Sequence, residues 1–441
     1  MHFSSPQDLQ RRSLAAVWHP CTQMARAAVV PPLPIARGEG PWLIDYEGRR
    51  YFDANSSWWV NLFGHSDEGI KDAIKQQLDT LAHVMLAGCT HAPAVELAEK
   101  LSALTGGALG HTFFASDGAS AVEIALKMSF HSWRNRGLDA KREFVCLRHG
   151  YHGETIGALA VTDVAVFRDA YAPLLMPSHV VESPDSRLGP DSEVRALAAL
   201  RAVLEARRGH IAALIIEPLV QCAAGMVMHE PSYLRAVRAL CDEYEIHLIA
   251  DEIAVGCGRT GSFFAFEQAQ AGWPDFVTLS KGISGGTLPL SLVLTTEAVF
   301  QSFWSDEVAR GFLHSHSYTG NALACAAANA VLDRFANQQV LEQNREQARW
   351  LAEAFAPLKD DPRVEHLRQR GMILAFDVKP EWVGERFSER FYLAAREHEL
   401  LIRPIGGTVY LMPPYLIDEA TARFLAQAVT QTLNEVLPHA A

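Results

Sequence analysis

At 441 residues the chain is long enough for a large core and for two or three domains. A formal charge of −12 excludes nucleic acid and anionic membrane as general partners, and no run approaches the ~18 uninterrupted apolar residues of a spanning helix. Seven scattered cysteines without a CxxC pair predict reduced, mostly buried thiols. With no hydrophobic signal core in MHFSSPQDLQRR, a cytoplasmic protein is expected.

The first sixty residues read as an arm with a little sheet. VWHPCTQM and the stiff, turn-rich VVPPLP precede alternation over 42–46, a turn at Glu47-Gly48 and the pair Tyr51-Phe52, which together predict a β-hairpin. Trp58 and Trp59 follow as an aromatic pair whose plain reading is core filling. Residues 68–104 carry helical periodicity in two segments broken near Gly88 and Pro93. A strand over 112–115 then feeds the tight turn Ser116-Asp117-Gly118 and an amphipathic helix from Ala119. Strand, small turn and helix N-terminus make an anion site, because free backbone N–H groups and the helix dipole point at one spot. A simple capped helix would read the same way.

A strand over 143–147 ends just before Tyr151 and His152, which lie between glycines that permit close approach to the backbone. Tyr151 suits stacking on a planar ring, or merely covering a sheet edge. A polar and then helical stretch over 183–208 leads to a continuous apolar strand, 211–216, that ends at Glu217-Pro218. After a helix over 231–244, two more short apolar runs end in charge, 246–250 at Asp251 and 276–279 before Lys281. Runs apolar throughout are strands buried on both faces, and open α/β sheets bind ligands at the carboxyl ends of such strands. The alternation of strand and helix predicts a doubly wound parallel sheet with Glu217, Asp251 and Lys281 at successive tips. An amine and an acid at strand tips are costly to bury alone. They suit an internal Schiff base at Lys281 with Asp251 holding a pyridinium nitrogen. Singly, each reads as a surface lysine or a structural ion-pair partner. Arg259 is open between a cofactor-side group and a structural charge near Asp251. His314 and His316 have the look of a metal pair but no acid or cysteine stands close in sequence, so no metal is expected. A further strand over 290–294 and a hydroxyl-rich loop precede a long Ala-rich helix. Beyond Phe335 helix to about 359, short strands over 371–377, 401–404 and 408–412, and a closing helix predict a smaller α+β domain. The expected division is 1–60 as arm and part of the small domain, 61–334 as the large domain and 335–441 as the C-terminal small domain.

In this order, SDGASAVEIALK, HGYHGET, IIEP, IADEI, GCGRTG, LSKGISGG and HSYTGN resemble the class III aminotransferases of fold type I, which depend on pyridoxal 5'-phosphate. The resemblance implies a large cofactor-binding domain with a mostly parallel central sheet flanked by helices, and a small α+β domain. It also implies that Lys281 carries the cofactor and then moves the proton between Cα and the cofactor carbon, while Asp251 pairs with the ring nitrogen. Gly118 and Ala119 would give backbone N–H groups to the phosphate, and Ser317 a hydroxyl from the partner of a homodimer. Tyr151 would stack on the ring, and Glu217 would shape its surroundings. WHPCTQM, SSWW, Thr90-His91-Ala92-Pro93 and RPIGGTVYLMPPY narrow the resemblance to the branch that passes the amino group of S-adenosylmethionine to 7-keto-8-aminopelargonate in biotin synthesis. There, Arg403 would bind the donor carboxylate with its planar fork. Trp58, Trp59 and Tyr410 would line the acceptor's chain, with Tyr151, Lys281 and Gly282 also at the substrate.

The chain departs from some members of the family at Cys21, where a tyrosine is replaced and a phenol leaves the substrate pocket. It departs also at Ser317, which replaces a threonine but keeps the hydroxyl, and at Ala119, which replaces a serine but keeps the backbone donor. Two other activities fit the same cofactor residues: an ω-amino acid or diamine transaminase or a mutase, and a pyridoxal-phosphate-binding protein without catalysis.

Overall fold

The structure, a computed structural model, describes residues 5–437. The outermost residues of the predicted terminal segments, 1–4 and 438–441, lie outside it. The chain divides into two compact units, one of Glu68–Glu346 with Arg368–Ile373, the other of Met1–Asp67, Gln347–Leu367 and Leu374–Ala441. Among the described residues, no helix is long and apolar enough to cross a membrane.

The larger unit is built on a seven-stranded sheet. Across it run His111–Ala115, Ser291–Thr295, Phe276–Leu279, His247–Asp251, Ile211–Ile216, Glu143–Leu147 and Ser178–Val181. Ser291–Thr295 is antiparallel to both neighbours, and the strands beyond Phe276–Leu279 pair in parallel. All six residues of Ile211–Ile216 and all five of His247–Asp251 are buried, as strands covered on both faces require. The edge strand Ser178–Val181 escapes the sequence pattern, because an edge strand is short and only partly apolar.

One helix shows how this core is closed. Gly118–Asn135 buries Ala121, Val122, Ile124, Ala125, Leu126 and Met128 in a cluster with Phe144, Ile215, Ile249, Phe276 and Val293. Each large apolar side chain so removed from water contributes on the order of 2 kcal/mol. Its far end is tied to the sheet by a hydrogen bond from Trp133 Nε1 to the Ala212 carbonyl, 2.9 Å. The helix N-terminus is therefore held at the carboxyl ends of the strands.

The smaller unit holds the predicted hairpin. Ile35–Glu39, Trp42–Asp45 and Arg50–Asp53 are antiparallel, and Asp45 stabilises the turn by accepting from the backbone N–H groups of Glu47 and Arg49. The strand expected over 401–404 is shorter than expected. Only Leu400–Leu401 pairs, in parallel with Arg50–Asp53. The ladder stops because the Arg403 N–H is taken by Asn55 Oδ1 at 2.7 Å and Pro404 has no N–H to give. Ile373–Val378 pairs antiparallel with Thr408–Leu411 in a separate three-stranded sheet. The helices Phe387–Glu397 and Glu419–Val436 pack against each other beside these strands. Of the seven cysteines, Cys21 and Cys89 are exposed and the other five buried, all as free thiols.

Candidate active site

Register explains why the charged tips meet. Ala250 stands opposite Ile216 and Asp251 opposite Thr278, so Glu217 lies level with Asp251 on neighbouring strands. Both carboxyls are buried, 4% and 3% exposed, as is His152 at 2%. Asp251 Oδ2 is 2.7 Å from His152 Nδ1, while Oδ1 accepts from Thr278 Oγ1 and the Ile253 N–H, both at 3.2 Å. Sequence reasoning gave His152 no role. The signal available was its place one residue past Tyr151 in HGYHGE, at the same strand end as Asp251.

Two glycines bring the helix N-terminus to this acid. A Cβ on Gly118 would lie 3.0 Å from Ile253 Cδ1, and one on Gly153, at φ +121°, only 2.6 Å from Ala119 Cβ. Gly118 and Ala119 thus sit against the segments that carry Asp251 and His152. The plain reading of this turn holds as well, since Asp117 caps the helix by accepting from the Ser120 N–H at 2.9 Å. The antiparallel strand anchors the cap through Ser291 Oγ, which donates to the Asp117 carbonyl at 2.6 Å.

Lys281 follows Ser280 in left-handed backbone, φ +48°, and opens a short 3-10 turn with the buried Gly282. Such a conformation costs a non-glycine residue about 1 kcal/mol and occurs where a site holds it. Burial pushes the Lys281 amine below its usual range, against the pull of Asp251, Cys222 and Glu217. More of it is therefore the neutral, nucleophilic amine near neutral pH.

Glu217 accepts from the N–H groups of Tyr151 and Cys222, each at 3.0 Å. Its carboxyl is pushed up to about 7, chiefly by burial and further by Asp251, with His152 and the two N–H donors opposing. The folded state therefore keeps this proton across a window in which the unfolded chain, with an ordinary carboxyl near 4.5, releases it. Stability from this group is fully present below that window and is lost as pH rises to about 7. In protein prepared without cofactor, Glu217→Gln should lose less melting temperature than the wild type between about pH 5 and pH 8. Equal losses would show that Glu217 titrates as an ordinary carboxyl. The next acid, Glu252, is a structural cap that accepts from the Ala265 and Phe266 N–H groups at 2.6 and 2.8 Å.

The Tyr151 hydroxyl donates to Glu154 at 2.9 Å and its ring tilts against Phe167, centroids 5.3 Å apart. Arg259 is buried, 1% exposed, and Asp251 and His152 are buried too, so its burial fits a cofactor-side group and a structural charge alike. Ser317 lies on an exposed loop whose carbonyl is 2.8 Å from His83 Nε2. His314 and His316 are hydrogen-bonded to each other at 3.1 Å, and Lys127 Nζ takes the other ring nitrogen of His314 at 2.9 Å.

Trp58, Trp59, Arg403 and Tyr410 belong to the smaller unit, which brings them together. Ser56, Ser57, Trp58 and Trp59 all have φ between +47° and +73°, a left-handed turn of four non-glycine residues. Several hydrogen bonds hold it: Ser56 Oγ to the Met412 carbonyl, Ser57 Oγ to Asp53, and Asn55 Nδ2 to the Tyr410 carbonyl. The turn splits the two tryptophans. Trp59 is buried and its Nε1 donates to the Tyr410 hydroxyl at 3.0 Å, whereas Trp58 is 48% exposed. Trp58, Arg403 and Cys21 line one cavity of about 510 Å³.

The family model for class-III aminotransferases matches residues 23–433. The chain belongs to the class-III aminotransferases. It is 42% identical to the adenosylmethionine-8-amino-7-oxononanoate aminotransferase of Helicobacter pylori, over 98% of each chain. To the enzyme of that name from Aquifex aeolicus it is 36% identical, again over 98% of each. Among solved structures, the Methanocaldococcus jannaschii adenosylmethionine-8-amino-7-oxononanoate aminotransferase superposes with a TM-score of 0.93 at 33% identity, covering 98% of this chain and all of that one. An amine transaminase from an uncultivated Pseudomonas species, in its pyridoxal-phosphate-bound form, reaches a TM-score of 0.91 at 29% identity, covering 96% of this chain and 99% of its own.

Proposed function

We propose that this aminotransferase uses pyridoxal 5'-phosphate to move the amino group of S-adenosylmethionine onto 7-keto-8-aminopelargonate, giving 7,8-diaminopelargonate for biotin synthesis. The observation that carries the substrate assignment is the likeness, over nearly its whole length, to enzymes named for that reaction in organisms as distant as H. pylori and M. jannaschii.

The larger unit fits the cofactor. Lys281 offers a buried amine, Asp251 an oriented carboxylate, and Gly118 and Gly153 the close packing that brings the helix N-terminus up to that acid. His152 Nε2 is buried without a hydrogen-bond partner among the described residues, a polar atom left for a ligand to satisfy. When bound, pyridoxal phosphate supplies the aldehyde that accepts the amino group and the ring that spreads the charge of the deprotonated Cα.

This chain's residues do the rest. Lys281 would hold the cofactor through its Nζ and, once the substrate amine has taken its place, would take the proton from Cα and deliver it to the cofactor carbon. Asp251 keeps a proton on the ring nitrogen, and its orientation is set by His152, Thr278 and the Ile253 N–H. Glu217 shapes the ring's surroundings, Tyr151 stacks on its face, and the N–H groups of Gly118 and Ala119 hold the phosphate. Ser317 serves the second copy of a homodimer. The exposed apolar side chains of Leu313 and Tyr318, 79% and 65% accessible on the same loop, support cover by that copy. Arg403 receives the donor carboxylate, and Trp58, Trp59 and Tyr410 line the acceptor's apolar chain.

His152→Phe should keep the cofactor but lower kcat by about 10- to 100-fold, because it leaves the buried Asp251 without its closest hydrogen-bond partner. Wild-type kcat in this variant would remove His152 from the mechanism. The reaction itself is tested by a substrate panel on purified holoenzyme. S-adenosylmethionine with the keto acid should give the highest kcat/KM. Failure with that pair, alongside turnover of a simple ω-amine, would place the protein with the amine transaminases instead.

A further inference from the structure

Arg403 is exposed at the rim of the 510 Å³ cavity, and a long guanidinium side chain left in water keeps its rotamer freedom. Two aromatic rings limit that freedom here. The guanidinium carbon lies 5.8 Å from the Trp58 ring centroid and 5.6 Å from that of Tyr392, both within the range of cation–π attraction. Behind it, the Arg403 backbone is pinned by Asn55, whose amide in turn holds the Tyr410 carbonyl.

Tyr392 is itself fixed. It sits on the helix Phe387–Glu397 between Phe391 and Ala395, which are both fully buried. Its ring carries a second guanidinium, that of Arg396, at 4.0 Å, and Arg396 Nη1 reaches the Pro31 carbonyl at 3.3 Å. One turn earlier on the same helix, Glu389 is paired with Arg26, so the neighbouring acid is neutralised and does not draw Arg403 away.

We propose that Tyr392 is a positioning residue for the amino donor. Its ring holds the Arg403 guanidinium in place opposite Trp58, so that the planar fork is presented to the donor carboxylate before the donor arrives. The inference rests on the reading above that Arg403 binds that carboxylate. The ring face does this work, not the phenolic hydroxyl, and the effect is on donor binding rather than on the chemical step.

The test uses holoenzyme with S-adenosylmethionine as variable donor and saturating 7-keto-8-aminopelargonate. Tyr392→Leu should raise KM for the donor about tenfold, the loss of one cation–π contact and of preorganisation, with kcat within about twofold of wild type. Tyr392→Phe keeps the ring face and should retain wild-type KM. Should the leucine variant fail to fold, Tyr392→Met fills similar volume without a π face and should show the same rise. An unchanged KM in the leucine or methionine variant overturns the proposal, as does a phenylalanine variant as impaired as leucine, or a fall in kcat that matches the rise in KM. Arg403→Lys separates the two levels. If it leaves the donor KM unchanged, the carboxylate assignment itself fails. If it raises KM while Tyr392→Leu does not, only the positioning role falls.

Discussion

Lys281→Ala should abolish turnover, with a loss of at least about 10⁴-fold in kcat, because in the proposed mechanism one side chain supplies both the nucleophilic amine and the proton carrier. The fold should survive. Burial disfavours a charged amine here, so truncating the side chain lifts that cost and melting temperature should not fall. Added small primary amines should restore a fraction of the proton transfer by standing in for the missing side-chain amine. Steady-state kinetics of the purified variant decide the matter: residual activity within tenfold of wild type would mean that another group carries the proton.

The second large effect is at Asp251. Asp251→Asn keeps the shape and leaves Oδ1 able to accept from Thr278 and Ile253, but it puts a neutral amide where His152 Nδ1 meets a carboxylate. If Asp251 pairs with the cofactor's ring nitrogen as proposed, that nitrogen would no longer hold its proton without the negative charge, and charge developing at Cα would lose its sink. Kcat should drop by about 10² to 10³ with cofactor still bound, the size seen when one preorganised electrostatic partner is removed. Cofactor content and kcat measured on the same preparation check this. Loss of cofactor with kcat per bound cofactor unchanged would make Asp251 an anchor only.

Much of this site was legible in the chain alone. Strands that are apolar until a charged tip announce themselves, and Glu217, Asp251 and Lys281 could be placed at the carboxyl ends of neighbouring strands because parallel register puts such ends side by side. His152 was not legible in the same way. A histidine past a strand end has no periodicity to betray its partner, and its contact with Asp251 joins residues 99 apart in sequence. The left-handed turn of Ser56–Trp59 was hidden for a different reason. No glycine marks it, and it is held by distant partners such as the Met412 and Tyr410 carbonyls. Nor does local pattern tell which of two adjacent tryptophans faces solvent. The strand ending at Leu401 was overestimated because an apolar run carries no sign that Asn55 takes the next backbone donor.

The smaller unit also shows how strain and specificity coincide. Four successive residues with positive φ cost several kcal/mol together and persist only where surrounding contacts over-determine them. Here they turn Trp58 out towards Arg403 and Trp59 in towards Tyr410.

In the proposed reaction, amino transfer runs from a carboxylate-bearing sulfonium donor to a long-chain keto acid through one cofactor held on Lys281. The most direct test separates the two halves. Holoenzyme mixed with S-adenosylmethionine alone should lose the absorption of its lysine-bound cofactor in a single turnover, and adding 7-keto-8-aminopelargonate should restore it with one equivalent of diamine formed. A spectrum that S-adenosylmethionine leaves unchanged, or one that it bleaches but the keto acid does not restore, would contradict the assignment.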